Sequence, residues 1–340
     1  MSSNPLHLLA LGQSLIEHDL RARPYPGFAE LRERLSHADL VLSNFEGAIL
    51  RDANVAPTRE GVFFHGAPPS VFDCLRDFSI KVLPLCNNHS FDLGAPGIIA
   101  AIEEARAREF LCAGTGANLD EASAPAFFES PFGKIALVAC ASKIPDASRA
   151  HVNHLRLNAD GALDANDTRR ILGAIERAAR EADFIIAYQH DHYLEANRQD
   201  TPRWKMDWAR ACIDAGANIF YSHGVPLVHG IEIYQQRPIF YGLGNFIFHT
   251  KTPVGKYASV TWESVIADCT FRDGKLAELK LHALALNESG EAGDDFFRTR
   301  GRPNFADTSH AQTIFERMQK LSAPLGTPIV ITSESAEIKI

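Results

Sequence analysis

Phe184-Ile185-Ile186-Ala187-Tyr188-Gln189-His190-Asp191-His192 is an apolar run that breaks into polar, chemistry-bearing side chains. Such a run reads as a strand, over 184–188. Period-two geometry at its end puts His190 and His192 on one face, with Glu195 close behind. The signature recurs: Gly12-Gln13-Ser14 follows the apolar run 6–11, Asn44-Phe45-Glu46-Gly47 follows 40–43, and Asn87-Asn88-His89 follows 82–85. Ser222-His223-Gly224, with His229 beyond, follows 219–221. In open α/β sheets the carboxyl ends of the strands share one edge, so clusters distant in sequence converge there.

Around these strands the chain has the rhythm of a layered α/β domain. Further strands are expected over 110–112, 135–139 and 239–241, and helices over 28–36, 69–78, 97–107, 167–181 and 203–215. Beyond 258 the pattern turns to strands, 259–271 and 276–286, joined by the hairpin dipeptide Asp273-Gly274. The segment 287–307, rich in Gly, Asp, Glu and Arg, reads as a mobile excursion, followed by a helix over 312–321 and a strand over 329–331. The expected division is a body of residues 1–290 and an appendage, 291–340, whose helix and strand pack back on it.

The 340 residues carry 34 basic and 42 acidic side chains, a net charge of −8, which argues against a nucleic-acid partner. An apolar fraction of 46% is enough for a folded core and excludes disorder as the main state. Six cysteines occur singly, without a C-x-x-C pair, which suits a reducing, cytoplasmic setting. The opening MSSNPLHLLALG lacks a basic n-region and a long apolar stretch, and no run approaches the roughly 20 residues of a membrane span. Export and membrane attachment are therefore not expected.

Each motif also has a plain structural reading. Asn44, Asn87 and Asn88 suit turns or helix caps. The isolated histidines His7, His18, His37, His65, His151, His154, His249, His282 and His310 read as ordinary hydrogen-bonding residues. Gly114-Thr115-Gly116 lacks the Lys-Ser or Lys-Thr of a P-loop and reads as a tight turn before a helix. The glycines of Gly242-Leu243-Gly244 permit close backbone approach or positive φ. No G-x-S-x-G elbow occurs, which disfavours a serine nucleophile. Trp204 and Trp208, at i, i+4 spacing, suit core packing. Arg21, Arg23 and Arg51 lie near the first two site loops and are suited to carboxylate or phosphate.

The succession Asn44-Phe45-Glu46-Gly47, Asn87-Asn88-His89-Ser90-Phe91-Asp92-Leu93-Gly94 and Gly114-Thr115-Gly116 with Ala122 and Pro125 resembles the CapA family. So does the stretch from Asp214-Ala215-Gly216-Ala217-Asn218 through His223-Gly224 and Gly230-Ile231-Glu232-Ile233-Tyr234 to Phe240-Tyr241-Gly242-Leu243-Gly244-Asn245-Phe246-Ile247-Phe248. That family, named for poly-γ-glutamate capsule synthesis, is similar in fold to the calcineurin-like metallophosphoesterases, and the resemblance spans roughly residues 6–250. It implies an α/β protein built as a four-layer α-β-β-α sandwich. Carried over, Glu46, Asn88, His190 and His223 occupy the metal-ligand positions, and His89 with Asp92 the neighbouring acid position.

Oxygen and imidazole ligands suit manganese, iron or zinc. The chain departs from the pattern at Gln13, where the family has an aspartate, and at Pro226, where a second histidine is usual. The expected content is accordingly one or two divalent ions, or none. The first expectation for function is a metal-assisted hydrolase of an amide, peptide-like or phosphoester substrate, with His89, Asp92, His192 and His229 catalytic and Gln13, Asn44, Glu195 and Arg21 on the substrate. The alternative is a metal-independent epimerase or lyase in which His190 or His223 removes a proton α to a carbonyl. A third is a non-catalytic polymer-binding accessory. The expected partner is a small or peptide-like molecule.

Overall fold

The computed structural model describes residues 5–52, 54–193, 199–292, 296–332 and 335–340. In chain order its strands are β1 (Leu6–Ala10), β2 (Gln13–Leu15), β3 (Leu40–Leu42), β4 (Ala48–Ile49), β5 (Gly66–Ala67), β6 (Ile80–Val82), β7 (Ala126–Ser130), β8 (Gly133–Ala141) and β9 (Phe184–Asp191). They continue as β10 (Ile219–Gly224), β11 (Ile231–Tyr234), β12 (Arg237–Phe240), β13 (Asn245–Phe248), β14 (Glu263–Arg272), β15 (Lys275–Leu286), β16 (Pro303–Phe305), β17 (Ile329–Ile331) and β18 (Ala336–Ile338). The helices are α1 (Pro26–Ser36), α2 (Ser70–Asp77), α3 (Gly94–Ala107), α4 (Leu119–Ser123), α5 (Ala165–Glu181), α6 (Arg203–Asp214), α7 (Phe296–Thr299) and α8 (Thr308–Ser322).

Two sheets form the middle of the molecule. One runs β17-β18-β15-β14-β1-β3-β6 with β16 beside β15, and the other β11-β12-β10-β9-β8-β7. Period-two alternation divides the core between them. Ile135, Leu137 and Ala139 of β8 point into the cluster between the sheets, while Ala136, Val138 and Cys140 point outward. The outward set is covered by Ile171, Ala174, Ile175 and Ala178 of α5 and by Trp208, Ala209, Cys212 and Ile213 of α6, each at helical spacing. Phe28, Leu31 and Leu35 of α1, Phe72 and Leu75 of α2, and Ile314, Phe315 and Met318 of α8 join the cluster of the first sheet, with α2 packed on β6 and α8 on β15. The result is the expected four-layer α-β-β-α sandwich.

The parallel strands β1, β3 and β6 and the parallel strands β8, β9, β10 and β12 form the centres of the two sheets. β14 runs antiparallel to β1 and folds back into β15 through Asp273-Gly274, both at positive φ as such a turn requires. Gly12 is a true close approach: a Cβ there would lie 2.7 Å from the backbone of Gly244, itself at φ +79.

Three local expectations differ from the structure. Residues 110–112 run beside β6, with the Leu111 N–H on the Lys81 carbonyl and the Leu83 N–H on the Leu111 carbonyl, but supply only the single parallel bridge Val82 to Leu111 and not a full strand. Residues 259–262 form a 3-10 turn before β14 begins. The 287–307 segment, read as an excursion, carries α7 and β16, and the Arg300 side chain there is fully buried, giving Nη1–H to the Thr250 carbonyl at 3.0 Å. All six cysteines are free thiols, and among the described residues no helix is long and apolar enough to cross a membrane.

On the first sheet Asp268 gathers three nitrogen partners: His7 Nε2 at 2.8 Å, His282 Nε2 at 3.1 Å and the Arg34 guanidinium Nη2 at 2.9 Å. Burial alone would raise the Asp268 carboxyl, but the two histidines outweigh it and hold it well below the carboxylate range. Hydrogen bonding to Asp268 raises His7 in turn. The Asp268 contribution is therefore present above the ordinary carboxylate range and lost as pH falls through the folded value. The His7 contribution is present below its ordinary value and lost as pH rises through its raised one. Asp268→Asn should cost about 2 kcal/mol near pH 5.5 and less near pH 9, a difference that denaturant midpoints at the two values will measure.

Candidate metal centre

The strand-end loops are shaped by their own polar side chains. Asn44 Oδ1 accepts the Ser14 N–H at 2.9 Å, joining the loops after β1 and β3. Asn87 gives Nδ2–H to the carbonyls of Phe45 and Leu85 at 2.8 and 3.0 Å and takes the His89 N–H on Oδ1 at 2.8 Å. These bonds fix Glu46 beside Asn88 and His89. From the other sheet, the end of β9 presents His190, and His192 stands just beyond it.

Four donor atoms converge. Asn88 Oδ1 lies 2.8 Å from His190 Nε2 and 3.0 Å from His192 Nε2, and the two nitrogens are 3.1 Å apart. Glu46 Oε1 is 3.8 Å from each nitrogen, so the Glu46, His190 and His192 ligand atoms fit within 4.8 Å. His190 is fully buried and Glu46 nearly so, whereas the His192 side chain keeps 29% exposure.

Burial pushes His190 well below its ordinary value, so the ring is neutral. Burial by itself would raise Glu46, but the imidazoles outweigh it and hold the carboxyl at about 2. Glu46 is a buried carboxylate with no Lys or Arg ion pair among the described residues, and its Oε2 has no hydrogen-bond partner. A divalent cation among these oxygen and nitrogen donors resolves both conditions, so the residues present fit a metal.

Next to the four donors stands His89, its Nε2 4.0 Å from Glu46 Oε1 and its Nδ1 3.0 Å from Asp92 Oδ2. Asp92 is fully buried and ion-paired to Arg59 Nε at 2.7 Å, and Arg59 also donates to the Asn88 carbonyl. Burial lowers His89 against the pull of Asp92. The His65 ring packs edge-on to His89 with centroids 4.3 Å apart, and its Nδ1 lies 2.6 Å from Glu17 Oε1. Arg59, His65 and Glu17 carry no sequence motif, and only their neighbourhood in space marks them.

The remaining candidates fall in different places. Gln13 is buried and spent at both ends, giving Nε2–H to Asn245 Oδ1 at 2.8 Å and accepting the Gly224 N–H at 3.0 Å. His223 points Nε2 at the Leu11 carbonyl, 3.0 Å away, with burial lowering it to about 3, and it stands outside the converging set. Asn44 keeps a buried Nδ2 without a partner. His229 follows the turn beside Gly242, where its N–H meets the Gly242 carbonyl. Arg21 is bound back onto Asp19 at 2.7 Å with Asp73 at 3.7 Å, and Arg51 pairs outward with Glu103 and Glu104. Glu195 lies outside the described residues.

A sandwich with a polar, donor-rich edge of this composition has known relatives. The chain belongs to the bacterial capsule synthesis protein PGA_cap family, whose model matches residues 7–250. The uncharacterized protein y4sH of Sinorhizobium fredii is 27% identical over 98% of this chain and 93% of its own length. The PGA biosynthesis protein CapA of Bacillus subtilis is 26% identical over 62% of this chain and 53% of its own. Among solved structures, a phosphatase from Mycoplasma pneumoniae aligns over 84% of this chain and 88% of that one, at 12% identity and a TM-score of 0.47.

The bonding of Gln13 makes a direct claim. Gln13→Ala leaves the buried Gly224 N–H and Asn245 Oδ1 without their partner and should cost about 1–3 kcal/mol. Urea unfolding will show that loss, while divalent-ion stoichiometry stays as in the wild type.

Proposed function

We propose that this chain is a metal-dependent hydrolase holding one divalent cation, manganese, iron or zinc, by Glu46, Asn88, His190 and His192. The convergence of those four donors around a buried carboxylate carries the reading. A cation so placed polarises a substrate oxygen and offsets the negative charge that develops on it. The protein's own part is proton placement. Asp92, fixed by Arg59, holds the proton of His89 on Nδ1, which leaves the Nε2 lone pair facing the donor cluster to take a proton from the attacking water and then hand it to the leaving oxygen or nitrogen. Phosphoester and amide substrates both suit this arrangement, and the name of the Bacillus subtilis relative keeps a peptide-like substrate in view. Six free thiols favour a reducing compartment such as the cytoplasm.

Purified protein should contain about one equivalent of metal, and chelation should abolish hydrolysis of bis(p-nitrophenyl) phosphate or a p-nitroanilide. Glu46→Gln should weaken metal affinity by at least about 100-fold. Full activity in metal-free protein overturns the reading. The engagement of Gln13, which leaves no carboxylate at the first strand end, favours a second reading as a metal-independent epimerase or lyase. That reaction would carry solvent deuterium to the substrate α-carbon, and retention of the original hydrogen throughout turnover would exclude it.

A further inference from the structure

His65 and Glu17 have no part in the reading above, yet they form a second carboxylate-backed imidazole against the first. Glu17 is buried and three-fold tied. Its Oε1 lies 2.6 Å from His65 Nδ1, its Oε2 2.6 Å from Lys251 Nζ, and its N–H is given to His249 Nδ1 at 3.1 Å. The His65 backbone is fixed as well, donating N–H to Asp92 Oδ2 at 3.1 Å and offering its carbonyl to the Ala48 N–H at 2.9 Å. The two dyads thus share Asp92: one oxygen holds both the His89 ring and the His65 main chain.

The imidazole tautomer whose Nδ1–H is given to a carboxylate has its lone pair on Nε2. His65 Nε2 makes no hydrogen bond among the described residues, and it is not among the sealed-off orphan atoms, although the side chain keeps only 6% exposure. A bare acceptor kept reachable in a nearly buried ring, packed edge-on 4.3 Å from His89, has its partner outside the protein. We propose that His65, held by Glu17, is a second residue touching the substrate, with Nε2 accepting a hydrogen bond from a donor group: a hydroxyl, an amide N–H or the attacking water. The proposal rests on the hydrolase reading for the nature of that group. Lys251, bonded to the other Glu17 oxygen and to the Phe64 carbonyl, keeps the carboxylate turned toward His65. It makes Glu17 a positioning residue with a counter-ion of its own.

The experiment pairs histidine nitrogen NMR with steady-state kinetics on the full-length chain. His65 is assigned by the signal missing from His65→Gln. The expected wild-type ring carries its proton on Nδ1 and is bare at Nε2, and Glu17→Gln, whose amide can donate to Nδ1, moves the proton to Nε2. With bis(p-nitrophenyl) phosphate and a p-nitroanilide as phosphoester and amide probes, His65→Gln and Glu17→Gln should each lower kcat by about 100-fold with KM little moved. Metal content should stay within about twofold of wild type, which separates a substrate-side role from loss of the metal centre. A wild-type Nε2–H ring, or kcat unchanged in His65→Gln, overturns the proposal. Absence of metal, or of turnover with both probes, instead overturns the hydrolase reading, and the ring tautomer then decides the placement of His65 by itself.

Discussion

One carbonyl ties the sandwich together. Leu11 O, at the end of the first strand of one sheet, receives the Tyr221 hydroxyl at 2.7 Å and faces His223 Nε2 at 3.0 Å, both from the other sheet. A backbone acceptor this deeply buried must be satisfied, and here the donors come from across the interface. The bond sets how closely the carboxyl ends of β1 and β10 approach. Everything polar at the edge inherits that spacing, including the distance from Glu46 on one sheet to His190 on the other. The family pattern places His223 among the ligands, and in this structure its Nε2 lies against the Leu11 carbonyl.

The charges at this edge are arranged in pairs around one exception. Asp92 has Arg59, and Glu17 has Lys251. Glu46 has only imidazoles, one of them fully buried and pushed well down by that burial. Asp191, likewise buried, has Lys205, which leaves Glu46 as the carboxylate of this edge without a Lys or Arg partner among the described residues. Asp92 and Glu17, each with its own cation, are also the carboxylates that grip histidine Nδ1 atoms.

Much of this was readable in sequence because burial writes periodic signals. The run 184–188 is strand in the structure, and the same-face reading of His190 and His192 corresponds to nitrogens 3.1 Å apart. The Asp273-Gly274 turn and the helices α5 and α6 were equally plain, since each follows a local rule of φ or of period 3.6. What escaped was pairing between remote segments. Glu17 and His65 lie 48 residues apart in irregular stretches, so no spacing announces their contact. Gln13 read as a substrate group because its type was visible and its partners, 232 and 211 residues away, were not. The charged composition of 287–307 suggested solvent exposure, yet Arg300 is buried against the face of Trp262 with its Nη1 on main-chain carbonyls.

The amide at position 13 also works as a latch. Its Nε2–H is received by Asn245 Oδ1, and Asn245 cannot simply turn its own amide around, because its Nδ2–H is already given to the Thr261 carbonyl at 2.9 Å. A carboxylate oxygen in the place of that Nε2 would set acceptor against acceptor inside a sealed contact. The first strand end is thus closed without charge: one side-chain amide latches the Gly224 turn of one sheet to Asn245, so this corner of the edge is held as scaffold.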